Sequence, residues 1–382
     1  MDKGKEAIKN AVQKFNKIFA SNEVSKSDMI YYFLMILIAL IVMSIFWYIT
    51  DKSTLKMRNC SSIQNNYGKM PPLKSIVTDY NYSLSSKLRD YYVKTAYNVC
   101  STGDFKNSYV DLCALKTVIA QGYRCLDMAI YSVDDNPVVA TSAVKSYDVK
   151  QTYNSIALDN VFKTIMNNAF SDSACPNSQD PLFLHLRIMS ENPAIFNKIA
   201  DTINSELSDR LLPRGFGYQY YGKNLGEIKL IKLRGRIIIM VDKENSMIDG
   251  SELEEFINIG TNSNFCRLLR FDDVKYNEDT EALKEHNKQF MSIVLPNISD
   301  SNSNPNAALP YSYGCQFVAM SVPNIDATLS LNTDMFNNSN HAFVLKPKEL
   351  VYEPLVVRPP TFNKDEALTH DTLNTYAGEM NL

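Results

Sequence analysis

The first strong pattern along the chain is an uncharged apolar run near its beginning. Residues 29–50 read MIYYFLMILIALIVMSIFWYIT and contain no charged side chain. Twenty-two residues in a helix reach about 33 Å, which is enough to cross a hydrocarbon core about 30 Å thick. Aromatic residues stand near both ends, as at membrane interfaces. The pattern predicts one transmembrane helix embedded in a lipid bilayer, since a cleaved signal peptide or a buried core helix fits this length and position less well.

The segments that flank this run predict less. Residues 1–28 place apolar side chains at helical spacing among lysines. This fits either an amphipathic helix on an anionic membrane surface or a helix that is exposed to solvent or packed against a partner. Residues 51–84 are interpreted as a juxtamembrane linker. Basic residues lie close to both ends of the run in similar numbers, so the positive-inside rule leaves the topology undetermined.

From about residue 85, apolar runs of strand length alternate with helical stretches. The predicted strands are 124–131, 138–141, 181–188, 235–241 and 314–320, and the predicted helices are 160–169 and 192–212. Strands that alternate with helices favour a parallel α/β architecture, and the spacing is compatible with a barrel of βα units.

Charge and cysteine content narrow the function classes. Lysine and arginine number 39 against 42 acidic residues, and they are dispersed, which argues against a nucleic-acid binder because such a protein needs a concentrated basic face. The 7 cysteines form no CxxC pair, and none has a histidine at metal-ligand spacing. They predict buried free thiols in a reducing compartment rather than a disulfide scaffold.

Six segments after residue 85 form an ordered set of motifs. They are AYNVCSTGDF (96–105), GYRCLDMAIYSVDDNPVVA (122–140), DPLFLHLRIMSEN (180–192), LRGRIIIMV (233–241), YGCQFVAMSV (313–322) and FVLKPKELVYEPL (343–355). Together they resemble the phosphoinositide-specific phospholipase C family, whose barrel is split into X and Y halves. The chain is also similar to phospholipase-C-like membrane proteins of large DNA viruses.

The resemblance implies a distorted TIM-type (β/α)8 barrel behind the single transmembrane helix. It divides the chain into an X-like half at 85–242, an X/Y linker at 243–306, a Y-like half at 307–360 and a polar tail at 361–382.

The resemblance also locates the family's chemistry. Members cleave a phosphodiester with two histidines, and a calcium ion stabilises the developing charge. Tyr97 and Thr141 stand at the two histidine positions, and all four histidines of the chain lie at residue 185 or beyond. Met240 and Asp242 replace headgroup-binding lysines. The resemblance therefore predicts no catalytic residue and a pseudoenzyme rather than an enzyme.

The calcium positions are degenerate as well. They fall on Asn98, Asp127, Ala129 and Arg187. Because calcium takes about six to eight oxygen ligands, one carboxylate beside a guanidinium predicts that the site is lost and that the chain has no cofactor.

A residual pocket is the remaining site hypothesis. Its residues are Asn98, Asp127, His185 and Arg187, and strand periodicity puts the last two on one face. These groups either bind an anion or fill the barrel interior as structural polar groups.

Three functions remain open on this evidence. The first is a membrane-tethered, inactive structural or interaction protein with a protein partner, as a virion membrane or capsid component. The second is a non-catalytic binder of phosphoinositide headgroups or phosphate, and the third is a phosphodiesterase with a relocated active site. The first is favoured because the catalytic losses are many and no replacement is visible. The predicted location is a virion or host internal membrane.

Overall fold

A barrel of parallel strands forms the main body of the computed structural model, which describes residues 9–10, 12–14, 17, 26–78, 86–147, 149–354, 372–375 and 378–381. Its strands and their accessory partners are β1 (Tyr91–Ala96), β2 (Cys125–Val133), β3 (Asn136–Ala140), β4 (Ile156–Ala157), β5 (Leu182–Met189), β6 (Ile237–Asp242), β7 (Ile259–Thr261), β8 (Cys266–Arg270), β9 (Met291–Leu295), β10 (Phe317–Met320) and β11 (Phe343–Leu345).

Eight of these described strands pair in the order β7-β6-β5-β2-β1-β10-β9-β8, and every pairing is parallel. Between β7 and β8 the ring is nearly closed, and the Ser263 N–H donates to the Cys266 carbonyl at 3.2 Å. β3 and β11 pair antiparallel with β2 and β1. The predicted distorted (β/α)8 barrel is confirmed.

Helices connect the strands around the outside. They are α1 (Lys26–Tyr67), α2 (Leu112–Ala120), α3 (Leu158–Ala169), α4 (Pro193–Leu207), α5 (Gly217–Gly222), α6 (Phe271–Lys275), α7 (Thr280–Gln289), α8 (Ala308–Ser312) and α9 (Ala327–Ser339). Side chains cap the starts of α2 and α4: Asp111 and Asn192 accept hydrogen bonds from the N–H groups of Cys113 and Ala194.

The barrel interior changes character from one end to the other. Strand β5 shows the sequence of inward positions, since Phe183, His185 and Arg187 follow one another at the two-residue period of a strand. Phe183 belongs to the apolar cluster that closes the end at which the strands begin. His185 and Arg187 lie toward the carboxyl ends of the strands, and we call that end the mouth. Active sites of such barrels lie at the mouth.

Two of the predicted segment assignments are corrected by the structure. Residues 243–306, predicted as a linker, contribute β7, β8 and β9 to the barrel. These strands are only three to five residues long, and polar residues surround them, so their apolar signal is weak. Residues 51–67, predicted as part of a linker, instead continue α1 without interruption.

The prediction for the cysteines is also corrected. Cys60 of α1 and Cys113 of α2 form a disulfide with a Cα–Cα distance of 5.9 Å. The other five, at positions 100, 125, 175, 266 and 315, are free and buried. Spacing in the sequence could not reveal this pair, because the two residues meet only when α1 packs on the barrel.

The two ends of the chain add little. Residues 9–10, 12–14 and 17 of the predicted amphipathic segment are helical, and most of residues 1–28 lie outside the described residues. Within the predicted polar tail, β12 (Thr372–Thr375) and β13 (Gly378–Asn381) pair antiparallel.

Candidate functional site

An arginine–aspartate pair occupies the interior just below the mouth. The Arg187 Nε donates to Asp127 Oδ1 and its Nη2 donates to Asp127 Oδ2, both at 2.9 Å. The same Nη2 donates to the Asn98 side-chain oxygen at 2.6 Å. β2 and β5 are adjacent parallel strands, and Ala129 of β2 is paired with Arg187 of β5. The arginine side chain therefore reaches Asp127, which lies two residues before Ala129. The predicted positions therefore meet as one hydrogen-bonded cluster.

His185 lies one layer deeper and completes the cluster. Its Nδ1 lies 2.7 Å from Asp127 Oδ1, and its Nε2 lies 3.1 Å from the hydroxyl of Thr261 on β7. His185 and Asp127 are 0% exposed, whereas Arg187 is 6% exposed. A group that is sealed beneath Arg187 cannot touch a substrate at the mouth, so His185 acts here as a positioning group.

The backbone supports this arrangement at Asn98. Its φ of 45° lies in the left-handed region, which asparagine adopts more readily than most residues. In this conformation the Asn98 N–H donates to Asp127 Oδ2 at 3.1 Å while its side chain accepts from Arg187.

Charge pairing sets the ionisation of the cluster. Burial by itself would raise the pKa of Asp127, but the charge of Arg187 and the hydrogen bonds from His185 and Arg187 overcome that effect and hold the pKa well below its usual range. Burial would likewise lower the pKa of Arg187, and the Asp127 carboxylate raises it instead. The pair is ionised at every ordinary pH.

Tyr97 and Thr141, at the two histidine positions, are packed rather than free. The guanidinium carbon of Arg187 lies 4.9 Å from the centre of the Tyr97 ring, a cation–π distance. The Thr141 hydroxyl donates to the Phe105 carbonyl at 2.9 Å, and Thr141 is 1% exposed. Thr141 is therefore not placed to replace a histidine as a proton carrier.

The residues at the calcium positions do not fit a calcium ion. Both oxygens of Asp127 already accept hydrogen bonds from Arg187, and the Asn98 oxygen accepts one as well. Ala129 offers no ligand. The positively charged guanidinium of Arg187 thus already binds the oxygens that would coordinate calcium, and a divalent cation would have to displace it.

Above the cluster is a small, partly enclosed cleft that the site prediction only partly covered. Tyr97, Asn98, Ala129 and Arg187 line its floor. The strand ends and the loops after them supply further charged and aromatic groups: Tyr131, Lys145, Tyr147, Asp242, Glu244 and Arg270. Asp242 and Arg270 are the last residues of β6 and β8. A polar residue at the carboxyl end of a barrel strand is the signal that would have identified them.

Three of the cleft's groups differ in how they are paired. Lys145 forms an ion pair with Glu244. Arg270 Nη1 donates to the Pro296 carbonyl at 2.9 Å and lies 3.5 Å from the Tyr97 hydroxyl. The Asp242 carboxylate accepts from the Glu244 N–H at 3.0 Å and the Asn262 side chain at 2.8 Å, and it pairs with no cation among the described residues.

Arg187 also keeps unused capacity. Its Nε and Nη2 are engaged, and its Nη1 has no hydrogen-bond partner among the residues that the structure describes. The cleft therefore combines guanidinium donors, a lysine and an unpaired carboxylate. Such a set can bind a phosphate oxygen and accept a proton from a hydroxyl.

Family comparison matches both halves of the barrel. The family model described as "Phosphatidylinositol-specific phospholipase C, X domain" matches residues 84–243, and the one described as its "Y domain" matches residues 252–349. The second range covers β7 to β11, which agrees with the strands found in the predicted linker. A comparison with curated proteins found no match.

Solved structures give the same fold. The crystal structure of PLC21 from L. pealei is 17% identical with a TM-score of 0.58, and that of PLC21 from S. officinalis is 18% identical with a TM-score of 0.58. In each case the match covers 72% of this chain and 39% of the other. The chain therefore spans well under half the length of these two proteins.

These matches contradict the prediction that the chain is not an enzyme. That prediction rested on the lost histidines and calcium ligands. Both halves of a phosphatidylinositol-specific phospholipase C domain are nevertheless present and in order, and this finding overturns the prediction.

Proposed function

Because the chain belongs to the phosphatidylinositol-specific phospholipase C family, we propose that it is a membrane-anchored phosphodiesterase that cleaves phosphoinositide lipids without calcium. The observation that carries the proposal is Arg187, which is fixed by Asp127 and Asn98 at the floor of the mouth cleft with Nη1 unengaged. A phosphodiester that enters the cleft meets a preorganised positive charge there.

In this proposal Arg187 stabilises the negative charge that develops on the phosphate. Fixed donors aimed at developing negative charge stabilise a transition state because they need no reorganisation during the reaction. The bidentate contact with Asp127 prevents rotation of the guanidinium, and the position of Arg270 at the end of β8 adds a second cation to the same cleft. Both cations are permanent, so this stabilisation requires no metal.

Asp242 is the proposed general base. Asp242 and Glu244 both line the cleft, and Glu244 is paired with Lys145, which leaves Asp242 as the carboxylate with no cation partner among the described residues. In the proposed step, Asp242 takes the proton of the inositol 2-hydroxyl and the oxygen forms a bond to phosphorus. The glycerol oxygen leaves as the phosphorus–oxygen bond breaks, and solvent supplies its proton.

The apolar half of α1 supports the anchoring part of the proposal. It is the one helix among the described residues that is long and apolar enough to cross a membrane, and no part of its apolar window is buried. Large apolar side chains that are exposed over 22 residues need an apolar surrounding, which a bilayer supplies.

The test is turnover of phosphatidylinositol and its bisphosphate by the full chain in lipid vesicles. We expect release of water-soluble inositol phosphate that is unchanged by a calcium chelator. Asp242→Asn should lower the rate by about 10²–10⁴-fold, the range for losing a general base, and leave headgroup binding intact. Arg270→Gln should lower the rate and, unlike Asp242→Asn, should also weaken headgroup binding.

Asp209→Asn is the matched control, since Asp209 is an exposed aspartate beyond the end of α4, away from the cleft. It should release inositol phosphate at the rate of the unchanged chain. Absence of release from a folded chain, abolition of release by the chelator, or an equal loss in the two aspartate variants would contradict the proposal.

Two further predictions from the sequence concern a protein partner and the membrane of residence. An interaction role with a protein partner, and a setting in a virion or host internal membrane, stay predictions. Their proposed test is co-purification of the full chain from the membrane in which it resides.

A further inference from the structure

The second half of α1 is part of the folded domain. It runs parallel to α2 along the outside of the barrel. Near the start of α2 the two helices are joined by the disulfide between Cys60 and Cys113, and at its end the Gln121 side chain donates to the carbonyls of Tyr67 and Lys69 at 3.3 and 3.2 Å. Helices of a βα barrel run from the mouth back to the closed end. α1 therefore enters the domain at the mouth.

Contacts just after the apolar run place its end at the mouth. The Tyr109 hydroxyl donates to the Lys52 carbonyl at 3.3 Å, and the Lys52 Nζ lies 5.1 Å from the centre of the Tyr153 ring. One turn later, Lys56 pairs with Asp111 at 2.7 Å. Tyr109 lies in the connection from β1 to α2, which follows a strand end at the mouth, and Tyr153 lies in the connection from β3 to β4. β3 is antiparallel, but its last residue, Ala140, pairs with Ala129, which is level with Arg187 at the mouth.

Exposed apolar side chains surround the same mouth. We call Val144, Val149, Met247 and Ile298 the rim cluster; they are 44%, 51%, 39% and 40% exposed. They lie on the loops after β3, β6 and β9, and Val144 and Ile298 also line the cleft. Apolar groups on several separate loops at one end of a domain form a contact surface rather than a core.

We infer that residues 51–67 act as a rigid strut that holds the mouth of the barrel against the bilayer crossed by residues 29–50, with the rim cluster in the membrane interface. The partner of this surface is the lipid of that same bilayer. The inference rests on the anchoring part of the proposed function. It deepens that function, because the cleft then opens onto lipid headgroups that never leave the membrane.

The strut geometry gives a distance that can be measured. Seventeen residues at a helical rise of 1.5 Å make the strut about 25 Å long. Met70 lies just beyond its far end, where the neighbouring Lys69 contacts the end of α2. Met70 and Ile298 are each 40% exposed, so they are matched except for the end of the barrel at which they lie.

The experiment is quenching of tryptophan fluorescence by brominated phosphatidylcholine in vesicles without phosphoinositide. The chain's single tryptophan, Trp47, is first replaced by phenylalanine in the full chain. Ile298→Trp and Met70→Trp are then compared in that background. We expect strong quenching at position 298 and quenching several times weaker at position 70, because interfacial contacts reach only about 5–10 Å into the lipid.

Each other outcome has a distinct meaning. Equal quenching at both positions, or stronger quenching at position 70, would overturn the orientation. No quenching at either position in a chain that floats with the vesicles would overturn it too and leave the anchor standing. Failure to float would overturn the anchor and with it this inference. Because the vesicles contain no substrate, none of these results depends on turnover.

Discussion

The interior at the two ends of the barrel is stabilised in different ways. At the closed end the interior side chains are apolar, as with Phe183 and Ile238. Two residues further along β5 the interior is a histidine, and two further it is an arginine paired with Asp127. Apolar burial tolerates a partner of similar volume, whereas a buried ion pair fails when one member is removed. The mouth is therefore the end where single changes are most damaging.

The largest expected effect is that of Asp127→Ala at the mouth. It removes the carboxylate that pairs with Arg187 and contacts His185 Nδ1, and the loss of one member of a buried pair costs about 3–5 kcal/mol. The free energy of unfolding of the full chain in detergent, from a denaturant titration, is the measurement.

A double variant sharpens this test. In Asp127→Leu with Arg187→Met both charges are gone, so most of the lost stability should return while headgroup binding stays absent. A double variant as unstable as Asp127→Ala would show that volume rather than charge holds this layer together.

A smaller effect, on the pH dependence of stability, is expected from Lys346, a buried lysine just after β11 at the closed end. Its Nζ donates to the Asn287 carbonyl at 2.8 Å, and burial lowers its pKa to about 7. The unfolded chain then binds more protons above pH 7, so this lysine makes stability rise with pH. Relative to Lys346→Met, the unchanged chain should gain about 1–3 kcal/mol between about pH 7 and pH 9.

Unfolding titrations of the two chains at both pH values measure that difference. Subtracting the variant removes the contribution of the free thiols, whose pKa is raised by burial in the folded protein. A constant difference across the window would show that Lys346 stays protonated in the folded protein.

The smallest effect is expected from Ile238→Val at the closed end. Removal of one buried methylene costs about 0.5–1.5 kcal/mol, and the polar mouth should not respond. Unfolding should therefore shift slightly while inositol phosphate release stays at the original rate. A large loss of turnover would mean that the two ends are coupled more tightly than their contacts indicate.

Some of this fold could be predicted from the sequence because its signals are local. β2, β5 and β6 are long apolar runs, and each was predicted within a few residues. β7 and β8 were missed because Ile259–Thr261 is very short and Cys266–Arg270 carries an arginine at each end of its leucines. Such strands are defined by their neighbours in the barrel rather than by their own periodicity.

The site shows the same division. Strand period was enough to group His185 with Arg187, and the family pattern added Asn98 and Asp127. What the sequence could not show was depth: that His185 is sealed and that Arg187 faces the cleft. Nor could it show that Asp242 and Arg270 line the same cleft, because they lie on strands that are not adjacent in the barrel.

In the proposed membrane-anchored form, the disulfide between α1 and α2 also decides how the domain can be released. Cys60 and Cys113 are 53 residues apart, and the chain between them includes β1. A protease that cuts anywhere in that stretch opens the backbone but leaves both fragments covalently joined. Shedding of the barrel after such a cut therefore needs a reductant, whereas a cut between residues 51 and 59 would free it at once.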